Sequence, residues 1–360
     1  MPGSLRNLIT DVPGLRVGHA HDIQAATGVT TVIFDEPAVA SVGILGGGPG
    51  VRDAALLEPE MTVAAVDALV LSGGSAFGLD AAGGVMSALA RLGRGFAIRD
   101  VRVPIVPQAI LFDLLNGGYK PWAAGSGEPP YRKLGEESVE NATHDPALGT
   151  VGAGYGATTV NLKGGLGQAS CRTSDGHTIG ALVAVNAVGS GVIGNGPHFW
   201  AAPYEQKGEF GACGWPQETT PQDIALRFKG GPGENTTIAI IVTDAALTKA
   251  QAKRLALASH DGMARSLRPA HVVLDGDLVF AASTGKRPLG ASPYAFAELN
   301  ALAADCLARA IARGIYEAST LDFEGALPAW RDLYQNTQSA SDSSSGGNVI
   351  GLTQTDRQKP

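Results

Sequence analysis

The sequence predicts a compact α/β protein, and three observations carry that prediction. Short β-branched or apolar runs bounded by Gly or Pro recur along the chain and read as buried strands. Stretches with apolar residues at near-helical spacing lie between them. The 49 glycines follow no collagen-like period, which points to many tight turns and close backbone approaches. With 360 residues, 44% of them hydrophobic and 17% charged, the chain can bury a sizeable core.

Taken in chain order, Thr30 to Phe34, Val42 to Leu45 and Ala68 to Leu71 are expected strands. Residues 78–92, GLDAAGGVMSALARL, form an expected helix through Leu79, Val85, Leu89 and Leu92, with Gly83-Gly84 weighing against it. Asn186 interrupts the apolar string ALVAVNAVGSG, where an amide without a partner is costly; it is either satisfied structurally or donates to an oxyanion. Residues 204–235, rich in Gly, Pro, Gln, Lys and Glu, read as a long loop, unusual in a compact domain unless it serves a purpose. A strand is expected to begin at once after it, at Thr236-Thr237-Ile238. Thr248 and Gln251 make a capping box for a helix to 266. A further helix over 293–316 places Phe296, Leu299, Ala303, Cys306 and Ala310 on one face, so Cys306 reads as core. Residues 336–360, with NTQSASDSSSGG, are expected to be a disordered tail.

Charge and cysteine usage narrow the function. Lys and Arg total 27 against 34 Asp and Glu, and a net charge of −7 disfavours a nucleic-acid or anionic-membrane surface, leaving a small molecule or peptide as the expected substrate. Cys171, Cys213 and Cys306 are odd in number, distant in sequence and without CxxC spacing, which argues against a disulfide framework or zinc site and suits a reducing cytoplasm. The first residues lack the apolar core of a signal peptide, and no apolar stretch approaches the ~20 residues of a membrane span. No cofactor is expected. GAGYGA, Gly152 to Ala157, fits the dinucleotide fingerprint formally but precedes a poor helix. GGGPGVRD, Gly46 to Asp53, lacks the P-loop ending, and GGSAF, Gly73 to Phe77, lacks the last Gly of a nucleophile elbow; all three read as turns. His19 and His21, flanking Ala20, fit a strand edge better than a metal site.

Two strings carry chemistry. At the seam GENTTIAII a Gly/Pro-rich loop meets a rigid strand, and a hydroxyl needs a base to become a nucleophile. If the chain is cut before Thr236, the freed α-amine, with a reference pKa of about 7.7–8.0, sits on the same residue and can take the proton. The second string is HVVLDGDLVFAASTG, residues 271–285. At face value Asp275-Gly276-Asp277 is a hairpin turn between two strands, although two adjacent carboxylates can also orient and charge-stabilise an ammonium or hydroxyl.

Together these strings resemble the self-processing L-aminopeptidase/D-esterase family, which includes the β-peptidyl aminopeptidases and the nylon-oligomer (6-aminohexanoate oligomer) hydrolase. The resemblance runs to about residue 320 through TDVPGLRVGHAHD, ATGVTTVIFDE, GGGPGVRDAALLEPE, ALVLSGGSAFGLDAAGGV, VPIVPQAILFDL, GAGYGATT, KGGLGQAS, NTTIAIIVTDA and DGD. It implies an αββα sandwich of the N-terminal-nucleophile type, a single domain over 1–335 made of chains 1–235 and 236–335, and hydrolysis of amide bonds next to a free amino group. It implies a cut between Asn235 and Thr236, Thr236 as nucleophile, Asn186 near the oxyanion, and Asp275 and Asp277 holding the nucleophile and its amine. Where many relatives carry a lysine seven residues after GAG this chain has Asn161, so the lysine role passes to Lys163 across a shortened loop. The resemblance also implies a homo-oligomer, a tetramer of processed units. Two other classes stand beside it: acyl transfer of the ornithine-acetyltransferase kind, and an uncleaved, non-catalytic protein of the same fold.

Overall fold

A computed structural model describes residues 4–230 and 235–335, so the expected tail lies outside the described residues. In chain order the strands and helices are β1 (Leu15–Asp22), β2 (Thr27–Ile44), β3 (Gly50–Arg52), β4 (Val66–Ser72), α1 (Ala81–Arg91), β5 (Phe96–Ile98), β6 (Val101–Val103), β7 (Gln108–Ile110), α2 (Tyr131–Glu140), β8 (Leu166–Arg172), β9 (Thr178–Asn186), β10 (Thr236–Ala246), α3 (Lys249–Ser266), β11 (Leu278–Pro288) and α4 (Pro293–Tyr316). The main sheet runs β3-β7-β4-β2-β11-β10-β9-β8, with β1 paired to β2.

The strands expected at Thr30–Phe34 and Val42–Leu45 belong to one 18-residue strand, β2. Its first half pairs with β1 and β4 and its second half with β11. Between them Asp35, Glu36 and Pro37 are exposed and the register with β4 shifts, so β2 carries the chain from one sheet half to the other. Pro37 removes a ladder donor there, which is why the pattern looks like two strands.

Alternating side chains then divide the interior into three cores. Ile238, Ile240 and Val242 of β10 meet Val32, Phe34, Leu69 and Leu71 in a core between the two sheet halves. Ala239 and Ile241 face the opposite way, into a core with Leu255, Met263, Leu307 and Ile311 of α3 and α4. Val29, Ile33 and Val70 make the third core with Val85, Leu89 and Leu134 of α1 and α2. The order is helices, sheet half, sheet half, helices. The Gly83-Gly84 pair that weakened the helix expectation serves helix packing: a Cβ on Gly84 would lie 1.9 Å from the Arg132 carbonyl oxygen of α2. The box at Thr248 forms as expected, its side chain accepting from Gln251 N–H, and α4 spans the expected 293–316.

Candidate active site

β10 lies between antiparallel β9, where Thr236 faces Asn186, and parallel β11, where Ile238 faces Leu278. A parallel neighbour brings two strand beginnings together, so Asn235 pairs with Asp275 and the seam meets the DGD string. Thr236 is only 4% exposed. Its Oγ1 donates to the carbonyl oxygen of Asn235, the peptide it would have to attack. The same oxygen accepts the Gly276 N–H at 3.2 Å. A Cβ on Gly276 would stand 2.7 Å from Thr236 Oγ1, so this position has room only for glycine.

The hairpin expectation for Asp275-Gly276-Asp277 does not hold. Residues 271–274 form no strand, and the string runs from a turn straight into β11, held by the glycine-rich loop at 46–48. Leu45 and Gly46 N–H donate to the Asp277 carbonyl oxygen at 3.1 and 3.0 Å, and Gly48 N–H to that of Asp275 at 2.8 Å. Side chains on that loop would collide with the backbone it clamps; a Cβ on Gly46 would lie 2.3 Å from Asp277 N.

Both carboxyl groups are buried side by side, and Asp275 Oδ1 accepts the Gly276 N–H at 3.0 Å. Burial, with the charge of Asp277 beside it, pushes the Asp275 carboxyl up to about 9. Burial acts the same way on Asp277, but hydrogen bonding and charge from His271 outweigh it and hold this carboxyl below its ordinary range. Asp277 Oδ2 accepts the His271 backbone N–H at 2.9 Å and lies 2.9 Å from His271 Nδ1, while Oδ1 accepts the Thr237 N–H at 2.8 Å. One proton is thus held by the pair, on Asp275.

Asn186 is fully buried. Its Oδ1 accepts from Lys229 Nζ at 2.7 Å and from Asn116 Nδ2 and Thr158 N–H at 3.0 Å, and its Nδ2 donates to the Phe112 carbonyl oxygen at 2.8 Å. Lys229 also ties the seam, because its carbonyl oxygen accepts from Asn235 Nδ2 at 3.1 Å. Lys163 stands apart from the Thr236 group in its bonding. Its Nζ donates to the carbonyl oxygens of Gly164, Ala157 and Gly154 at 2.7, 2.8 and 3.1 Å, and burial, with Lys229 nearby, pushes it down to about 7. Lys163, Lys229, Asn116 and Thr158 line a cavity of about 400 Å³ with Leu115, Phe228 and Phe323, and with Glu324 as its carboxylate.

The seam and DGD strings therefore come together with Asn186. Sequence reasoning missed Gly276 as a donor, His271 behind Asp277, and Lys229 between Asn186 and Asn235. Gly276 acts through its main chain, Lys229 reaches Asn186 43 residues away, and His271 meets Asp277 through an irregular turn, so no periodic pattern marks them. His19 and His21 sit on β1, His19 Nδ1 being 3.1 Å from Thr30 Oγ1; among the described residues no group of three or more His, Cys, Asp or Glu is placed to hold a metal ion.

Residues 7–326 match peptidase family S58. An uncharacterized aminopeptidase of Mycobacterium tuberculosis is 41% identical over 349 residues, covering 91% of this chain and 98% of the relative. The 6-aminohexanoate-oligomer endohydrolase of Paenarthrobacter ureafaciens is 27% identical, over 79% of this chain and 76% of its own. Among solved structures, the L-aminopeptidase D-Ala-esterase/amidase of Ochrobactrum anthropi, described as a variant of the Ntn hydrolase fold, superposes with a TM-score of 0.66 at 19% identity, covering 93% of this chain and 94% of that one. A Burkholderia β-aminopeptidase gives a TM-score of 0.64 at 22% identity, covering 97% and 96%.

Proposed function

We propose, from the premise that this chain belongs to peptidase family S58 and is an amide-bond hydrolase, that it cuts itself before Thr236 and then uses the new terminus to release amino acids from peptides, amides or β- and ω-amino-acid oligomers. One observation carries this reading: the Thr236 hydroxyl rests on the Asn235 carbonyl, whose oxygen already accepts the Gly276 N–H. In processing, Oγ1 bonds to the Asn235 carbonyl carbon and the charge developing on the oxygen meets that N–H, a donor in place before the reaction begins. The bond to Thr236 N then breaks, the nitrogen takes a proton and becomes the free α-amine, and the proton released by Oγ1 goes back to the acid that supplied it. Asp275, kept neutral by burial, is the neighbouring acid with one to give. Water hydrolyses the resulting ester, leaving Asn235 with a carboxylate and returning the Thr236 hydroxyl.

In the mature enzyme that amine takes the hydroxyl proton as Thr236 attacks substrate, Gly276 N–H and the Asn186 amide receive the oxyanion, and ionised Asp277 holds the start of β10 through Thr237 N–H. The two chains, 1–235 and 236 onward, stay one domain in this reading because β10 remains paired to β9 of the first chain and β11 of the second. Processed units assemble as a homotetramer in the cytoplasm. Lys163, whose hydrogen bonds go to main-chain carbonyls, supports the wall behind Asn186.

The substrate's acyl half carries a free amine. Glu324 offers an ammonium its counter-charge in the cavity, Leu115, Phe228 and Phe323 offer a methylene chain apolar walls, and relatives include a 6-aminohexanoate-oligomer hydrolase and a β-aminopeptidase. Intact-mass measurement of purified protein tests the cut, with chains ending at Asn235 and starting at Thr236 expected. Active protein that is uncut, or cut elsewhere, overturns it. Rates on free-amine and N-acetylated versions of one aminoacyl amide or 6-aminohexanoate dimer test the anchor, and equal rates would leave a general amidase.

A further inference from the structure

The fold brings together two cysteines that lie far apart in sequence. Cys171, near the end of β8, is half-buried, and Cys306, on the inward face of α4, is fully buried. Cys171 Sγ sits 3.7 Å from the carbonyl oxygen of Leu302, the residue one helical turn before Cys306. Both side chains line a cavity of about 290 Å³ that also borders Tyr204, Asp305 and Arg309. The cavity thus sets the two thiols beside one another. Neither residue has a place in the chemistry at Thr236.

The surroundings give the two sulfurs different characters. Cys306 beside it and the charge of Arg309 favour the Cys171 thiolate against burial and Asp305, so its acidity is raised. Burial, with Cys171 beside it, keeps Cys306 a thiol. Arg309 cannot swing away: it is fixed by Glu209 at 2.5 Å, the Ser170 carbonyl at 3.0 Å and Asn7 at 2.8 Å. A half-buried thiol of raised acidity with a second thiol beside it in one cavity is the arrangement of an attacking and a resolving cysteine.

We propose that Cys171 and Cys306 are a modification site for peroxides, closing to a disulfide that, in the processed enzyme, joins the two chains. Cys171 thiolate attacks one oxygen of hydrogen peroxide, the O–O bond breaks, and hydroxide leaves a sulfenic acid on Cys171. Cys306 sulfur then attacks Cys171 sulfur, the S–S bond forms, the S–O bond breaks, and the departing hydroxide takes the Cys306 proton as water. Two thiols and one peroxide give one disulfide and two waters, and a dithiol reductant reverses the step. Cys171 precedes the Asn235–Thr236 bond and Cys306 follows it, so the joining of chains rests on the self-cleavage proposed above. The bridge itself does not.

The test treats purified full-length-expressed protein with hydrogen peroxide, blocks remaining thiols with iodoacetamide, and compares denaturing gels run with and without dithiothreitol, with peptide masses. A Cys171–Cys306 peptide lighter by two hydrogens is expected, with two chains that migrate as one until reduced. Cys213→Ser should leave this unchanged, whereas Cys171→Ser, at a half-exposed position that tolerates hydroxyl, should abolish it. Chains that separate without reductant, or Cys171 carried to sulfinic acid beside an unreacted Cys306, would overturn the proposal. A single band after reduction would sink self-cleavage instead, and the linked peptide would still decide the bridge.

Discussion

Among the described residues two places bury carboxylates under glycine-rich loops, and only one sets them beside the proposed nucleophile. Asp113, just past β7, accepts from Thr27 Oγ1 at Oδ2 (2.6 Å) and from Gly74 N–H at Oδ1 (2.8 Å), with Lys120 as its nearby opposite charge. Tyr131 lies 3.2 Å from Thr27 Oγ1, and the Gly73-Gly74 pair leaves no room for a side chain, a Cβ on Gly73 falling 2.1 Å from Asp113 Oδ2. One carboxylate there has one donor per oxygen. At the DGD string two carboxyl groups stand together, Asp275 pushed up by burial and its neighbour and Asp277 held down by His271. What sets the DGD string apart is two carboxyl groups crowded near a hydroxyl that points at the preceding carbonyl, since burial and glycines are common to both.

The sharpest test of that contrast is Thr236→Ala. It removes the attacking oxygen from both reactions, so the chain should remain full length and amide hydrolysis should fall to background, read by mass and by turnover. Normal cutting would transfer suspicion to Thr237 and dissolve the comparison.

Next come Asp275→Asn and Asp277→Asn, each expected to slow cutting and turnover by about 100-fold or more while the protein stays folded. Asp275→Asn has a second, opposite signature. Its native pKa is raised, so between about pH 4 and about 9 the native state keeps a proton that the unfolded chain has released, and wild-type stability declines through that window. Asn removes the decline. The variant's Tm relative to wild type should therefore rise steadily from pH 5 to pH 8. A constant margin would mean Asp275 is ionised in the native state and holds no proton to give.

Asp113→Asn should do far less. Thr27 Oγ1 can turn its hydrogen toward Tyr131 and accept from the new amide, while the amide oxygen still takes the Gly74 N–H, so cutting and kcat should stay within about twofold of wild type. Asp113→Ala strands both donors and should cost about 1–3 kcal/mol in denaturant melts, again without loss of cutting. Lost processing in Asp113→Asn would erase the distinction between the two carboxylate sites.

Parts of this were legible in sequence. Thr248–Gln251 announced a helix start because a capping box is local, and α4 matched its expected span because its apolar face repeats over many turns. Layer order and the roles of Thr236, Asp275 and Asp277 came from resemblance; on their own the strings read as an ordinary strand and a hairpin. The hairpin failed because β11 pairs in parallel with β10, and parallel pairing is set by the crossover through α3 rather than by the DGD residues. The Lys229–Asn186 contact and the Cys171–Cys306 pair were invisible because their members are remote in sequence, whereas His271 lies only six residues before Asp277 and was missed because no regular element fixes that spacing.

A third carboxylate extends the comparison outward. Glu324 is exposed at the cavity rim, so its attraction for an ammonium is screened by water, and exposed ion pairs contribute at most about 1 kcal/mol. Glu324→Gln should raise KM for a free-amine substrate about two- to fivefold and leave kcat alone, because the ammonium is as charged in the ground state as in the transition state and the lost binding is uniform. An N-acetylated substrate, with no ammonium to bind, should not notice the change. The pair of measurements separates charge from shape, since Gln nearly preserves the volume of Glu: equal KM increases on both substrates would make Glu324 a piece of wall, and no increase on either would move the ammonium site elsewhere in the pocket.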